Sequence, residues 1–146
     1  MFGHPGRAYV YKCHMYPLLN VVTEKRGTPG AVLLRALEPV EGTDLMEKMR
    51  PNARTANEIA NGPGKLGLAF GIRLNHNTTD LINGPLFLAR PVKAGRGLVH
   101  SGRTRPVPIR RSTRIGLRGP ASLLPWRFYV PGNPCVSMHP GTRKGR

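Results

Sequence analysis

The sequence predicts one α+β domain, and three observations point there. Short apolar runs of strand length recur near the N-terminus, two brief stretches carry helix start and stop signals, and 146 residues are enough for one core but too few for two. Residues 8–16, 18–23 and 31–37 read as strands, the last two joined by the polar turn-rich stretch Glu24-Lys25-Arg26-Gly27-Thr28-Pro29-Gly30. In "AYVYKCHMYPLLNVV", residues 8–22, Tyr9, Val10 and Tyr11 open an aromatic, β-branched run that Lys12, Cys13 and His14 interrupt before Leu18 resumes it. "AVLLRAL", residues 31–37, is nearly continuous in apolar side chains, which predicts a central position. Its one charge, Arg35, then needs a partner or a ligand.

Thr43 followed by Asp44 reads as an N-cap with an acid in the first helical turn. Leu45, Met46 and Met49 continue that short helix, and Pro51 ends it. "NGPGKLGLAFGI", residues 61–72, predicts a second helix, capped by Asn61 or Gly62, with Pro63 early and Leu66, Ala69 and Phe70 on one face. A further helical turn over 78–82, a strand over 86–89 and a strand at "RFYV", 127–130, follow from the same signals. Residues 93–118 hold eight Lys or Arg, several Gly and Pro and no acid, which predicts a long basic loop within the domain. Residues 138–146 read as a loose basic tail.

The formal charge is +16, unevenly spread: ten Lys or Arg face seven acids over residues 1–80, and thirteen face none after Asp80. A field of that sign attracts polyanions, foremost nucleic acid, whose phosphates release condensed counterions to Lys and Arg. No run approaches the roughly 18 consecutive apolar residues of a spanning helix, and no basic amphipathic helix stands out, so a membrane partner is not expected. The N-terminus lacks the charged start, apolar stretch and cleavage site of a signal peptide, and two cysteines, Cys13 and Cys135, fit a reducing compartment. An intracellular protein is therefore expected, in bacterial cytoplasm or nucleoid, or in a nucleus.

Four chemical constellations follow. Cys13, His14, Cys135 and His139 are zinc-type ligands, yet Cys13 and His14 are neighbours and would point to opposite faces of a strand, so no metal site is expected. "GPGKL", residues 62–66, brings glycines and Lys65 to a helix start, which suits a nucleic-acid backbone or ordinary capping, and it lacks the spacing of a Walker loop. Glu38, Glu41 and Asp44 cluster just before a helix, where capping and pairing with Arg35 explain them better than catalysis. The acid-free basic run 93–118 favours a polyanion contact over a neutral solvated face.

The segments "MFGHPGRAYVY", "NVVTE", "GAVLLRALEPVEG", "NGPGKLGLAFGI" and "PWRFYVPGNPCVS" occur in an order and at distances that resemble the alkyladenine-type 3-methyladenine DNA glycosylases. The likeness covers most of the chain, is densest over residues 1–72 and fades in the basic segment. It implies a single domain spanning 1–146 with a curved, mainly antiparallel sheet, a partial barrel, and short flanking helices. It also implies a monofunctional, monomeric enzyme that flips a damaged purine from duplex DNA and hydrolyses its N-glycosidic bond in base excision repair, with no cofactor and no metal. Flipping costs a few kcal/mol, so such an enzyme needs an aromatic pocket and a wedge that fills the gap.

Carried onto this sequence, the resemblance makes Tyr11 the ring that stacks on the flipped base and Asn20 part of the pocket floor. His14 stands where the family has a wedging tyrosine, Arg35 near DNA and pocket, and Gly62, Gly64 and Lys65 along the DNA backbone. The family's catalytic glutamate lies in a Glu-x-Glu-Ala-Tyr segment ahead of the "MFG" motif, and no Glu-Ala-Tyr occurs here. The resemblance thus assigns no catalytic residue to these 146 residues and predicts an N-terminally truncated or late-started member, with a non-catalytic DNA-binding derivative of the fold as the alternative. One residue fewer separates Tyr11 from Asn20 than in the family, so the turn or a bulge must absorb the deletion if both are to keep their face.

Overall fold

The structure, a computed structural model, describes residues 1–89 and 108–137. Strands β1 (Ala8–Cys13), β2 (Tyr16–Val22) and β3 (Ala31–Leu33) form an antiparallel sheet in the order β1-β2-β3. The interruption in the opening run is the hairpin end, where only His14 and Met15 lie between the strands. His14 has φ 55°, a left-handed conformation that costs an L-residue about 1 kcal/mol but matches the twist of a two-residue hairpin. The ladder runs without a bulge, pairing Tyr9 with Asn20, Tyr11 with Leu18 and Cys13 with Tyr16. Tyr11 and Asn20 therefore share a sheet face, and the tight turn takes up the shortened spacing.

Alternation divides the sheet. Ala8 and Val10 of β1, with Leu19 and Val21 of β2, face a core completed by Ile59, Ala60, Leu66, Ala69, Ile72 and Leu81. Helix α2 (Pro63–Ala69) supplies Leu66 and Ala69, and it starts where expected, with Gly62 as N-cap and Pro63 in its first turn. A Cβ on Gly67 would collide with the carbonyl oxygen of Pro17, so glycine here permits the close approach of α2 to β2. Phe70, expected on the buried face of α2, sits past its end and stays exposed.

Several expectations are corrected. Helix α1 (Thr43–Met49) ends before Pro51 as expected, but its N-cap is Gly42 at φ 70°, so Thr43 is its first residue rather than its cap. The third strand stops at Leu33 instead of reaching 37 and lies at the edge of the sheet rather than at its centre, which β2 takes: Leu34 still donates to the Leu19 carbonyl, after which the chain leaves the sheet towards Pro39. No helical turn forms over 78–82. Thr78 is left-handed at φ 69°, Thr78 and Thr79 exchange backbone hydrogen bonds with Ala8, and Asp80 bridges to Arg7, so this segment covers the free edge of β1. Residues 86–89 form no strand and contribute one backbone bond, from Leu88 to the Leu81 carbonyl.

The "RFYV" strand is present as β5 (Arg127–Tyr129). Its antiparallel partner β4 (Arg110–Ser112) lies inside the stretch expected to be a basic loop, where two consecutive arginines hid the strand signal. The rest of that loop up to 107, and the tail 138–146 with His139, lie outside the described residues. The two sheets, two short helices and 3-10 turns make an α+β fold.

Candidate functional site

The face of the first sheet turned away from the core carries the predicted pocket residues. Asn20 is buried there, and its side-chain amide donates to the backbone carbonyls of Tyr9 at 3.0 Å and Leu18 at 3.5 Å. Those bonds satisfy the buried amide nitrogen and fix its orientation. Tyr11 is about one-third exposed, and its ring lies 5.4 Å from that of Tyr9 with the planes tilted by 31°. Partial burial, with Cys13 and Tyr9 beside it, pushes the Tyr11 phenol above its ordinary range, so it stays protonated and uncharged at neutral pH.

Arg35 follows β3 and reaches across to the second sheet, where its Nη1 donates to the carbonyl of Ile115 at 3.2 Å. The pairing with Glu38 expected from sequence does not form, because Glu38 instead accepts from the Asn133 side chain at 2.8 Å. Burial first, then the guanidinium groups of Arg127 and Arg114, pulls the Arg35 pKa downward, while the group remains a cation at neutral pH. Arg127 is itself buried, donating to the Ser112 hydroxyl at 3.1 Å and the Ser137 carbonyl at 2.7 Å, with its guanidinium 4.4 Å from the Tyr129 ring centre. Arg114 also acts electrostatically on Tyr11, which links the arginines to the aromatic pair.

Arg114 and Arg127 thus both act on Arg35, and Arg114 also acts on Tyr11; the hydrogen-bond acceptors that Arg35 and Arg127 are seen to use are carbonyls and a hydroxyl rather than carboxylates. Among the described residues the ion pair observed lies elsewhere, between Arg7 and Asp80 at 3.7 Å. Sequence reasoning singled out Tyr11, Asn20 and Arg35 and passed over Arg114 and Arg127. For Arg127 a usable signal existed, since a cation opening the apolar "RFYV" run raises the question that Arg35 raised in "AVLLRAL".

The other predicted residues sit apart from this cluster. His14 is at the exposed hairpin end, with its Nδ1 3.6 Å from the Cys13 thiol. Gly64 lies against that end, since a Cβ there would come within 2.9 Å of Tyr16, and Gly62 has extended backbone, where a Cβ would meet the Lys65 side chain at 3.7 Å in ordinary contact. Lys65 is tied to Asn61 at 2.7 Å. Of the expected zinc-type ligands, Cys13 is exposed and Cys135 buried, and both are free thiols. A cavity of about 400 Å³ opens elsewhere, lined by Lys12, Pro17, Met49, Leu68, Ile72 and Arg73 among others, and none of the predicted pocket residues borders it.

Comparison with known proteins shows the family of the chain. A family model described as methylpurine-DNA glycosylase matches residues 1–134, the span that contains every element and cluster residue above except the last acceptor, Ser137. The chain belongs to the methylpurine-DNA glycosylase family. A relative from Methanocella arvoryzae, named "Putative 3-methyladenine DNA glycosylase", is 46% identical over 140 residues, 94% of this chain and 64% of the relative. Relatives with the same name from Bacillus subtilis and Prosthecochloris aestuarii are 42% and 41% identical, over 94% and 100% of this chain and 64% and 66% of theirs. This member of the methylpurine-DNA glycosylase family thus spans 64% of the first two relatives' length. No helix among its described residues is long and apolar enough to cross a membrane.

Proposed function

We propose that this chain forms the base-holding and DNA-contacting part of a DNA glycosylase that acts, as a monomer, on alkylated or deaminated purines in duplex DNA during base excision repair. The observation that carries this reading is the half-open Tyr11 ring sharing a sheet face with the bonded Asn20, with Arg114 acting on Tyr11 and, together with Arg127, on Arg35. Gathering three cations without a carboxylate leaves a site whose electrostatic cost an anion removes, and a DNA phosphate fits a guanidinium fork in charge and geometry. Tyr11 offers a neutral, half-open ring on which a base stacks, and Asn20, locked by its two carbonyl partners, gives the floor a fixed shape.

In this reading the hairpin end enters the duplex with His14 as the wedge, while Gly62, Gly64 and Lys65 follow the backbone alongside it. Hydrolysis of the N-glycosidic bond also requires a positioned base to activate water. No Glu-Ala-Tyr segment occurs in these 146 residues, which favours, as a second reading, a chain that binds lesions and releases bases slowly. Lacking a general base lowers the rate by typically 10²- to 10⁴-fold.

Anisotropy titration of a labelled duplex carrying one hypoxanthine, against its undamaged twin, tests the binding claim at two salt concentrations. Tighter binding to the lesion duplex, with affinity falling as salt rises, is expected. Equal affinity for the two duplexes would overturn it. Base release, read by alkaline strand cleavage under single-turnover conditions, separates the two readings. A rate roughly 100-fold or more below that of a relative with the Glu-x-Glu-Ala-Tyr segment is expected, and a matching rate would refute slow release.

A further inference from the structure

The second sheet presents an aromatic surface that adjoins the pocket. Arg111 of β4 pairs with Phe128 of β5, so their side chains share one sheet face, opposite to that of the buried Arg127. On that face the Arg111 guanidinium lies 5.1 Å from the Phe128 ring centre and is held by a 3.2 Å hydrogen bond from its Nε to the Pro125 carbonyl. Next to it the Arg114 guanidinium lies 5.9 Å from the Trp126 ring centre. Phe128 is 61% exposed and Trp126 60%, far more than aromatic rings of a settled core. Residues 108–137 contain five arginines and no acid, and the acid seen to touch them is Glu38, at Asn133.

We infer that the Arg111–Phe128 and Arg114–Trp126 pairs form a stacking platform for unpaired bases of single-stranded DNA, adjoining the pocket at Tyr11 through Arg114. Open rings take bases on their π-faces irrespective of sequence, and the guanidinium groups beside them neutralise the phosphates between those bases. The acid-free charge of the segment selects a polyanion, and the exposed rings select a polyanion that carries bases. Arg114 faces Trp126 and acts on Tyr11 as well, so the platform starts at the margin of the pocket. The inference does not depend on base excision: a chain without lesion preference could still bind single strands here.

Trp126 is the sole tryptophan of the chain and reports directly. Titration with a 16-nucleotide thymidine oligomer is expected to quench its emission, with a midpoint that rises with salt. The Phe128→Ala variant is expected to bind that oligomer roughly tenfold more weakly. Thermal melting and binding to undamaged duplex, both expected unchanged for so exposed a side chain, show that the variant is folded. An abasic phosphodiester of equal length is expected to bind at least roughly tenfold more weakly than the thymidine oligomer. Abasic chain or poly-glutamate binding as tightly as the thymidine oligomer would overturn the inference, as would unaltered affinity in Phe128→Ala, unchanged emission on binding, or a concentration-dependent dimer that shields Trp126.

Discussion

The two faces of the three-stranded sheet are built from the same six- and seven-residue strands and yet do opposite work. One face is apolar and closed: Ala8, Val10 and Leu19 meet Leu66 and Ala69 of α2, and every group there is satisfied by packing. The other carries Tyr9, Tyr11 and Asn20 beside the buried Leu18 and Val22, with Arg114 acting on Tyr11 and, together with Arg127, on Arg35. Folding needs the first face. The second holds cations in a cluster that folding alone does not reward, which is the physical mark of a surface arranged for a ligand.

That contrast predicts a separation of effects. On the closed face, Leu66→Ala removes a fully buried side chain and should cost about 2–5 kcal/mol in denaturant unfolding. Asn20→Ala sharpens the comparison, because Asn20 belongs to the open face but is buried and bonded. Loss of its two bonds should cost about 1–3 kcal/mol and weaken lesion binding together, whereas Tyr9 and Leu18 keep their ladder positions. Arg35→Met should leave the unfolding midpoint near that of the parent, since it removes a cation from a repulsive cluster, and should weaken duplex binding by roughly tenfold, as expected for loss of one charge-assisted phosphate contact. A large stability loss in Arg35→Met with intact binding would break the division between the faces.

The smallest effect lies at the sheet edge. Asp80 accepts from the backbone of Ile82 at 2.8 Å and of Asn83 at 3.2 Å, and these bonds, with Arg7 nearby, hold its pKa below the ordinary carboxylate value. A carboxylate with a lowered folded-state pKa stabilises the fold above its unfolded value, near 3.9, and that contribution vanishes as the pH falls through the folded value. The melting temperature of the parent should therefore drop more than that of Asp80→Asn between pH 5 and acid conditions below pH 3, and parallel curves would contradict the assignment.

How much of this was legible in the sequence follows the same division. β1, β2, the start of β3, β5 and α2 were readable because alternation and cap chemistry are local, and the core face follows from them, whereas 86–89 carried the same kind of signal and forms no strand. Arg35 announced itself as a charge inside an apolar run. Arg114 and β4 did not, because "RRS" looks like a solvated basic segment until the antiparallel partner at 127–129 gives it a register. Thr78 misled for a related reason. Its local signals suit a helical turn, but the unpaired edge of β1 binds the backbone there and holds Thr78 in a left-handed conformation. The hairpin end shows the reverse: Lys12, Cys13 and His14 looked like a flaw in a strand, and they are where the strand finishes.

The most direct test of the open face as the base-receiving surface is the ratio of affinities for the hypoxanthine duplex and its undamaged twin, measured for the parent and for Tyr11→Ala. The account predicts that the variant binds the undamaged duplex as the parent does and binds the lesion duplex at least roughly tenfold more weakly, because it loses the ring under the base. A Tyr11→Ala protein that keeps the parent's lesion preference would contradict it.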